Sequence, residues 1–259
     1  MRTLLVFLSL VLLTLSIAHT DSARAQSADS LMQRGQELVD RGVTAGDEAS
    51  LQQAQALFKR IAAASDEAVW PHYYAGLANY RIASLFLDSD DDRADAHLDD
   101  ALDHLKRAVD NQSGLAEAHA LLGTVYGLKA RGGMISGMRY GPEADGAMER
   151  ARSLAPNNPR VLLLNAISLL NKPSRWGGDR EKAVAELQRA LQQFEATSAP
   201  SDSLAPQWGH ADAYAWLGIA HMKVDERTQA RDAFEQALAI RPGYAWVEST
   251  LLPQLAANE

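Results

Sequence analysis

Between residues 210 and 244, apolar and small residues recur at intervals of three and four, in two runs. The first run places Tyr214, Leu217, Gly218 and His221 on one helical face. Asp225, Glu226 and Arg227 interrupt it. The second run places Ala230, Phe234 and Ala237 on one face and stops at Pro242, because proline cannot continue a helix without losing a hydrogen bond. The pattern predicts two helices joined by a short turn. Neither can bury its apolar stripe alone, so the helices must pair and the pair must stack on a neighbour.

The same order of landmarks returns upstream. Tyr73, Gly76, Leu77 and Tyr80 are followed by Ala101, Leu105 and Ala108. His119, Leu122, Gly123 and Tyr126 are followed by Ala144, Met148, Ala151 and Pro156. Leu162, Asn165, Ala166 and Leu169 are followed by Ala183, Leu187 and Ala190. A degenerate first copy carries Ala54, Phe58 and Ile61 after a first helix expected to stop at Gly42. The stretch 196–209, rich in Ser, Pro and Gly, reads as a loop leading into the final copy. Residues 244–257, with Trp246, Leu251 and Leu252, read as a cap helix that Pro253 kinks or shortens.

Tyr214-x2-Leu217-Gly218-x2-His221, then Ala230-x3-Phe234-x2-Ala237 and Pro242, resembles the tetratricopeptide repeat (TPR), in which such landmarks recur about every 34 residues. Only the second aromatic of the first helix is replaced, by His221. The resemblance implies an all-α fold, a TPR-like superhelical solenoid of antiparallel helix pairs with a C-terminal cap helix. The repeats fall at about 29–65, 69–112, 115–157, 159–196 and 210–243, with the cap at 244–257, in a single domain spanning 26–259. It also implies a protein-interaction scaffold, without fixing the partner.

Three successive copies are longer than the fifth at the same place, between their two helices, so inserts at 81–100, 127–143 and 170–182 are expected side by side on one edge. Two inserts are glycine-rich. Exposed backbone N–H groups there, beside Arg131, Arg139, Arg175 and Arg180, suit an anion-binding concavity, with Met134, Met138, Tyr140 and Trp176 as an apolar wall. The plainer alternative is that these loops pack over the edge with Trp176 as a plug. Counting from the repeat landmarks, the concave groove is expected to present Tyr74, Arg81, Leu163, Ile167, Asn171, Met222 and Lys223, with Thr124, Leu128 and Ile219. It lacks the Lys/Asn/Arg clamp by which chaperone-adaptor TPR domains hold a C-terminal carboxylate.

Composition narrows the function. The chain has 259 residues, a net charge of -8 and no cysteine. Disulfides, cysteine-bound metals and a lipid-acylated N-terminus are thereby excluded. The acidic balance argues against nucleic acid and against docking on an anionic membrane surface. Arg2, the apolar run from Leu4 to Ala18, and Ala23-Arg24-Ala25 together read as a cleavable signal peptide over 1–25, with Gln26 as the mature N-terminus. The run is shorter than the roughly 20 residues that span a bilayer, so no membrane span is expected after cleavage. The destination is periplasmic or secreted.

Asp88, Asp90 and Asp92 alternate as calcium ligands can, but no glycine turn or closing glutamate follows, and helix capping explains them better. The histidines form no zinc pair, and no nucleophile motif, P-loop or dinucleotide fingerprint is present. No enzyme activity, metal or cofactor is expected. The leading reading is a non-enzymatic scaffold of the bacterial cell envelope, binding a protein or peptide through its groove or its inserted edge. The alternative is a periplasmic small-ligand-binding accessory of an envelope transporter, similar in outline to the TPR components that accompany TRAP-type transporters. A self-assembling structural protein is the third reading, and the oligomeric state is open.

Overall fold

Four helices have apolar or small residues on every side. In the computed structural model, which describes residues 28–196 and 202–257, these are α3 (Val69–Ser84), α5 (Ala116–Lys129), α7 (Pro159–Asn171) and α9 (His210–Lys223). A helix without a polar face must be enclosed. Twelve residues of α3 are buried, among them Tyr73, Tyr74, Leu77 and Ile82. The helices that alternate with them are amphipathic: α2 (Glu48–Ala64), α4 (Asp91–Asn111), α6 (Met134–Leu154), α8 (Arg180–Ala196) and α10 (Arg227–Ile240). Each buries one stripe, such as Ala101, Leu105 and Ala108 on α4 or Ala230, Phe234 and Ala237 on α10. The result is an inner layer and an outer layer. The signal-peptide reading and Gln26 lie outside the described residues.

The first helix, α1, is helical over residues 28–45 of the described chain. It passes through Gly42, which was expected to stop it, and ends at Gly46 with φ +64°. Gly42 is small because a Cβ there would stand 2.6 Å from Leu51 Cγ. Gly35, two turns earlier, fits against the Phe58 ring in the same way, so α1 and α2 pair antiparallel. The close approach repeats at Gly218, where a Cβ would stand 2.3 Å from the Phe234 ring. Antiparallel pairs α3/α4, α5/α6, α7/α8 and α9/α10 follow, each stacking on the next. No strand occurs among the described residues, and none of their helices is long and apolar enough to cross a membrane.

The inserts are mostly not loops. They lengthen the second helices: α4 and α6 have 21 residues each, against 14 in α10. Asp90 caps α4 by accepting from Arg93 N–H at 3.1 Å, and Asp91 and Asp92 occupy its first turn. Negative charge is favourable there because the helix dipole is positive at its N-terminus. The acidic run therefore starts a helix. α6 begins at Met134 and continues through Pro142. Short turns remain at 85–90 and at Ala130–Gly133, and the third insert is mostly irregular, around Ser174–Trp176. After Tyr244 the cap is helical with a widened π-type turn, Val247–Leu251, closed by Leu252 N–H on Val247 O, and continues as α11 (Leu252–Ala257). Pro253, lacking an N–H, sits just past that turn and does not end the helix.

A histidine pair, His72 buried and His104 half-buried, adds a pH term. His72 Nδ1 and His104 Nδ1 are 3.1 Å apart, which forms a hydrogen bond only while at least one ring is neutral. Burial first, then the charge of His72, pulls His104 down to about 4. The unfolded chain therefore binds this proton near its ordinary value while the fold resists it. The stabilisation is complete above about pH 6.5 and is lost as pH falls toward about 4. Thermal melts between pH 7.5 and 5 are expected to show a falling Tm, with a shallower fall in His104→Gln. Phe234→Ala, which empties the site against Gly218, is expected to cost about 3–5 kcal/mol in urea unfolding.

Candidate functional site: a closed groove and a protruding edge

Asp212 is an acidic residue in an otherwise apolar inner helix, and it is fully buried. Its Oδ1 accepts from Arg81 Nη1 at 3.0 Å and from the Tyr244 hydroxyl at 2.9 Å. Burial alone would raise its carboxyl, but the Arg81 and Arg241 charges and these hydrogen bonds outweigh that and hold it below the usual carboxylate range. The pair joins α3 to α9, across two intervening repeats. Arg241, just past α10, also donates from Nη2 to Asp40 on α1 at 3.1 Å.

The described loop 202–209 completes the closure. Trp208 Nε1 donates to the Tyr73 hydroxyl at 3.0 Å, and Trp70 Nε1 donates to Asp202 at 2.9 Å. Gln36 on α1 donates to Leu204 O at 3.2 Å. The first and last repeats thus meet across the concave face, and the chain fills its own groove. What remains is a cavity of about 560 Å³, walled by Tyr74, Leu77 and Trp208 with Arg81 and Arg241 beside them. The Arg81 guanidinium lies 5.3 Å from the Trp208 ring.

The expected groove residues separate accordingly. Tyr74 and Arg81 line this cavity. Leu163 and Ile167 are core residues, 1% and 6% exposed, so they present nothing to an open groove. Thr124 is buried and bonds Ala120 O within its own helix. Asn171 turns back to Ile167 O at 2.9 Å. Met222 packs half-buried against the α10 core, and Lys223 is exposed.

At the outer edge, Arg131, Arg139 and Tyr140 line one cleft of about 630 Å³, with Asp91, Asp92 and Asp95 of α4 also on its wall. Tyr140 stacks on Tyr126 at 6.2 Å and has Lys129 Nζ 5.5 Å from its ring. That lysine is buried and held by Asp95 and Asp99 at 2.8 and 2.6 Å. Arg180 stands apart from this cleft: its Nη1 donates to Lys223 O at the end of α9, at 3.1 Å. Arg175 and Trp176 are exposed on the turn between α7 and α8, and Gly177 there takes φ +89°. Trp176 is 68% exposed, so it does not plug the edge. Met134, Ile135 and Met138, on the first turns of α6, are 82%, 83% and 75% exposed. The arginines therefore do not converge on one anion nest. The edge is an apolar projection with basic residues around it.

Sequence reading missed Trp208, Arg241 and Asp212. A signal existed for Asp212, since a carboxylate among the inward positions of an apolar helix needs a buried cation. Arg81, at the end of the apolar α3, was its counterpart.

Residues 211–244 match the tetratricopeptide repeat family, over the stretch that α9 and α10 occupy. This stretch is a tetratricopeptide repeat, one pair in a fold of stacked helix pairs. Among solved structures it is similar to TTC0263, a thermophilic TPR protein of Thermus thermophilus, at 16% identity over 89% of this chain and 97% of that one, with a TM-score of 0.61. It is also similar to the HusA haemophore of Porphyromonas gingivalis, at 24% identity over 72% of this chain and 92% of that one, with a TM-score of 0.57. Both likenesses are of fold. No curated protein matches the sequence.

Removing Arg81 leaves the buried Asp212 carboxylate with only the Tyr244 hydroxyl at 2.9 Å and the Arg241 guanidinium at 3.8 Å. Arg81→Met is expected to cost about 3–5 kcal/mol. Arg81→Met combined with Asp212→Leu should recover part of it, because no buried carboxylate is then stranded while the Tyr244 hydroxyl and Arg241 Nη1 lose their Asp212 neighbour. A double-mutant cycle in urea reads both.

Proposed function

We propose that this TPR protein is a non-enzymatic scaffold of the bacterial cell envelope that docks a protein partner through its protruding edge. TPR folds in general serve protein interaction. One observation carries the choice of surface: Met134, Ile135, Met138 and Trp176 are each more than two-thirds exposed, while the groove is occupied by the chain itself. Flexible Met-rich projections suit protein docking because they adapt to the shape they meet. The envelope location rests on the leader pattern at 1–25.

A pull-down from envelope extract with the mature chain 26–259 tests the surface. A partner captured by the wild type is expected to be lost in Met134→Asp/Met138→Asp/Trp176→Ala, with Tm unchanged because these side chains support no packing. Retention of the partner by that variant would remove the edge from the interaction. Mass spectrometry of the protein from an osmotic-shock fraction should find Gln26 at the N-terminus, and an intact leader on cytoplasmic protein would contradict the location.

The cavity between Tyr74, Trp208, Arg81 and Arg241 favours a second reading, carriage of a small ligand in the envelope, in the manner of an accessory to a transporter. A volume of about 560 Å³ lies within the range of small-molecule sites. Because a haemophore shares this helical arrangement, haemin is a sensible first probe. A shifted Soret band on titration supports the reading, and an unchanged free-haemin spectrum counts against haem as the cargo.

A further inference from the structure

At the outer edge an apolar ridge and a recess lie side by side. The start of α6 carries Met134, Ile135 and Met138, neighbours on one side of the helix that stand in solvent. Beside them opens the cleft of about 630 Å³ between α6 and the first turns of α4, with Ile135 at its rim. Leu87, Leu98 and Leu128 give this cleft an apolar lining. A projection and a recess of like chemistry on one face make that face complementary to itself. A twofold rotation sets each copy's ridge against the other's cleft.

Charge is arranged in the same reciprocal way. Arg131 and Arg139 stand on the α6 side of the cleft, Asp91 and Asp92 on the α4 side. The cleft's buried cation, Lys129, is neutralised by Asp95 and Asp99 at 2.8 and 2.6 Å. Arg139 lies 5.0 Å from the Tyr140 ring and reaches no carboxylate. Among the described residues, Arg131, Asp91 and Asp92 form no ion pair either. One wall is thus left cationic and the other anionic. A partner of a single sign is repelled by one of the two walls, whereas a second copy turned about a twofold axis sets its arginines against the aspartates. Gly141 adds an independent sign of close approach. It lies on the ridge side of α6, seven residues after Met134, and a Cβ there would have nothing within 4 Å. Glycine is unfavourable inside a helix, and no contact within the chain accounts for it.

We propose that this face is an interface between two copies of the chain. The Met134, Ile135 and Met138 ridge of each copy fills the cleft of the other, and Arg131 and Arg139 of each pair with Asp91 and Asp92 of the other. The inference rests on the reading of this edge as a docking surface and names what docks there.

Sedimentation velocity of the mature chain 26–259 over a hundredfold range of micromolar concentration tests it. A discrete dimer that grows with concentration is expected. Open-ended larger species, or a dimer that persists undiminished in Ile135→Asp/Met138→Asp, overturn the proposal. That ridge variant should weaken dimerisation at least tenfold and keep its helix content. Arg131→Asp/Arg139→Asp and Asp91→Lys/Asp92→Lys should each stay monomeric alone, because like charges then face each other, and should form a dimer when mixed one-to-one. A mixture of the folded variants that stays monomeric overturns the pairing. Asp91→Lys/Asp92→Lys removes two acids from the first turn of α4, and should it fail to fold, the arginine variant and the ridge variant decide alone. A wild type that is monomeric throughout, while its edge still captures a different protein from envelope extract, overturns the second copy and leaves the docking reading standing. A monomer that captures nothing sinks both.

Discussion

Four inner helices without a polar face govern this structure. Because α3, α5, α7 and α9 can leave no side in water, each needs an amphipathic partner on the outside and a neighbouring inner helix beside it. Glycine at the closest contacts, Gly35 on Phe58, Gly76 on Leu105 and Gly218 on Phe234, lets the helices approach closely enough to exclude water. The outer helices then need only one apolar stripe, and their remaining faces hold the charges that keep an acidic surface.

An inner layer of this kind still has two ends, and the chain closes them on each other. Arg81, Asp212, Arg241 and Tyr244 form the buried polar junction between the second repeat, the fifth repeat and the cap. An ion pair in such a place contributes little net stability over an apolar replacement. Its consequence is geometric: directional bonds select the closed arrangement over an open groove, and they place two guanidiniums at the bottom of a cavity. α1 and the 202–209 loop complete the enclosure through Asp40, Gln36, Trp208 and Trp70.

Closure reassigns the surfaces available for recognition. A solenoid of open form offers its concave side to a peptide, and here Leu163 and Ile167 on that side lie in the core. The exposed apolar side chains are at the extended start of α6 and the turn before α8, where Met134, Ile135, Met138 and Trp176 stand free of the core. What stays open on the concave side is the cavity beside Tyr74, Trp208, Arg81 and Arg241. The exposed apolar edge and the cavity in the groove therefore occupy separate parts of the molecule.

Hydrophobic spacing alone determined the all-α repeat character, because landmark positions such as Leu217, Gly218, Ala230 and Phe234 reflect contacts within one repeat and with its neighbour, which are local in sequence. The residues at the outer cleft, Arg131, Arg139 and Tyr140, were legible for the same reason: they lie on one short segment. Helix extension in place of glycine-rich loops was not legible, since packing on α5 overrides the weak helix propensity of glycine and Pro142 within α6. Nor was closure of the groove. The bonds that make it, Arg81 to Asp212 and Arg241 to Asp40, join residues far apart in the chain, and their register depends on the small rotation accumulated over five stacked pairs. Repeat periodicity contains no record of that sum. Tertiary structure alone decides that Arg81 faces a buried carboxylate and a cavity, where the sequence shows only an arginine at the end of an apolar helix.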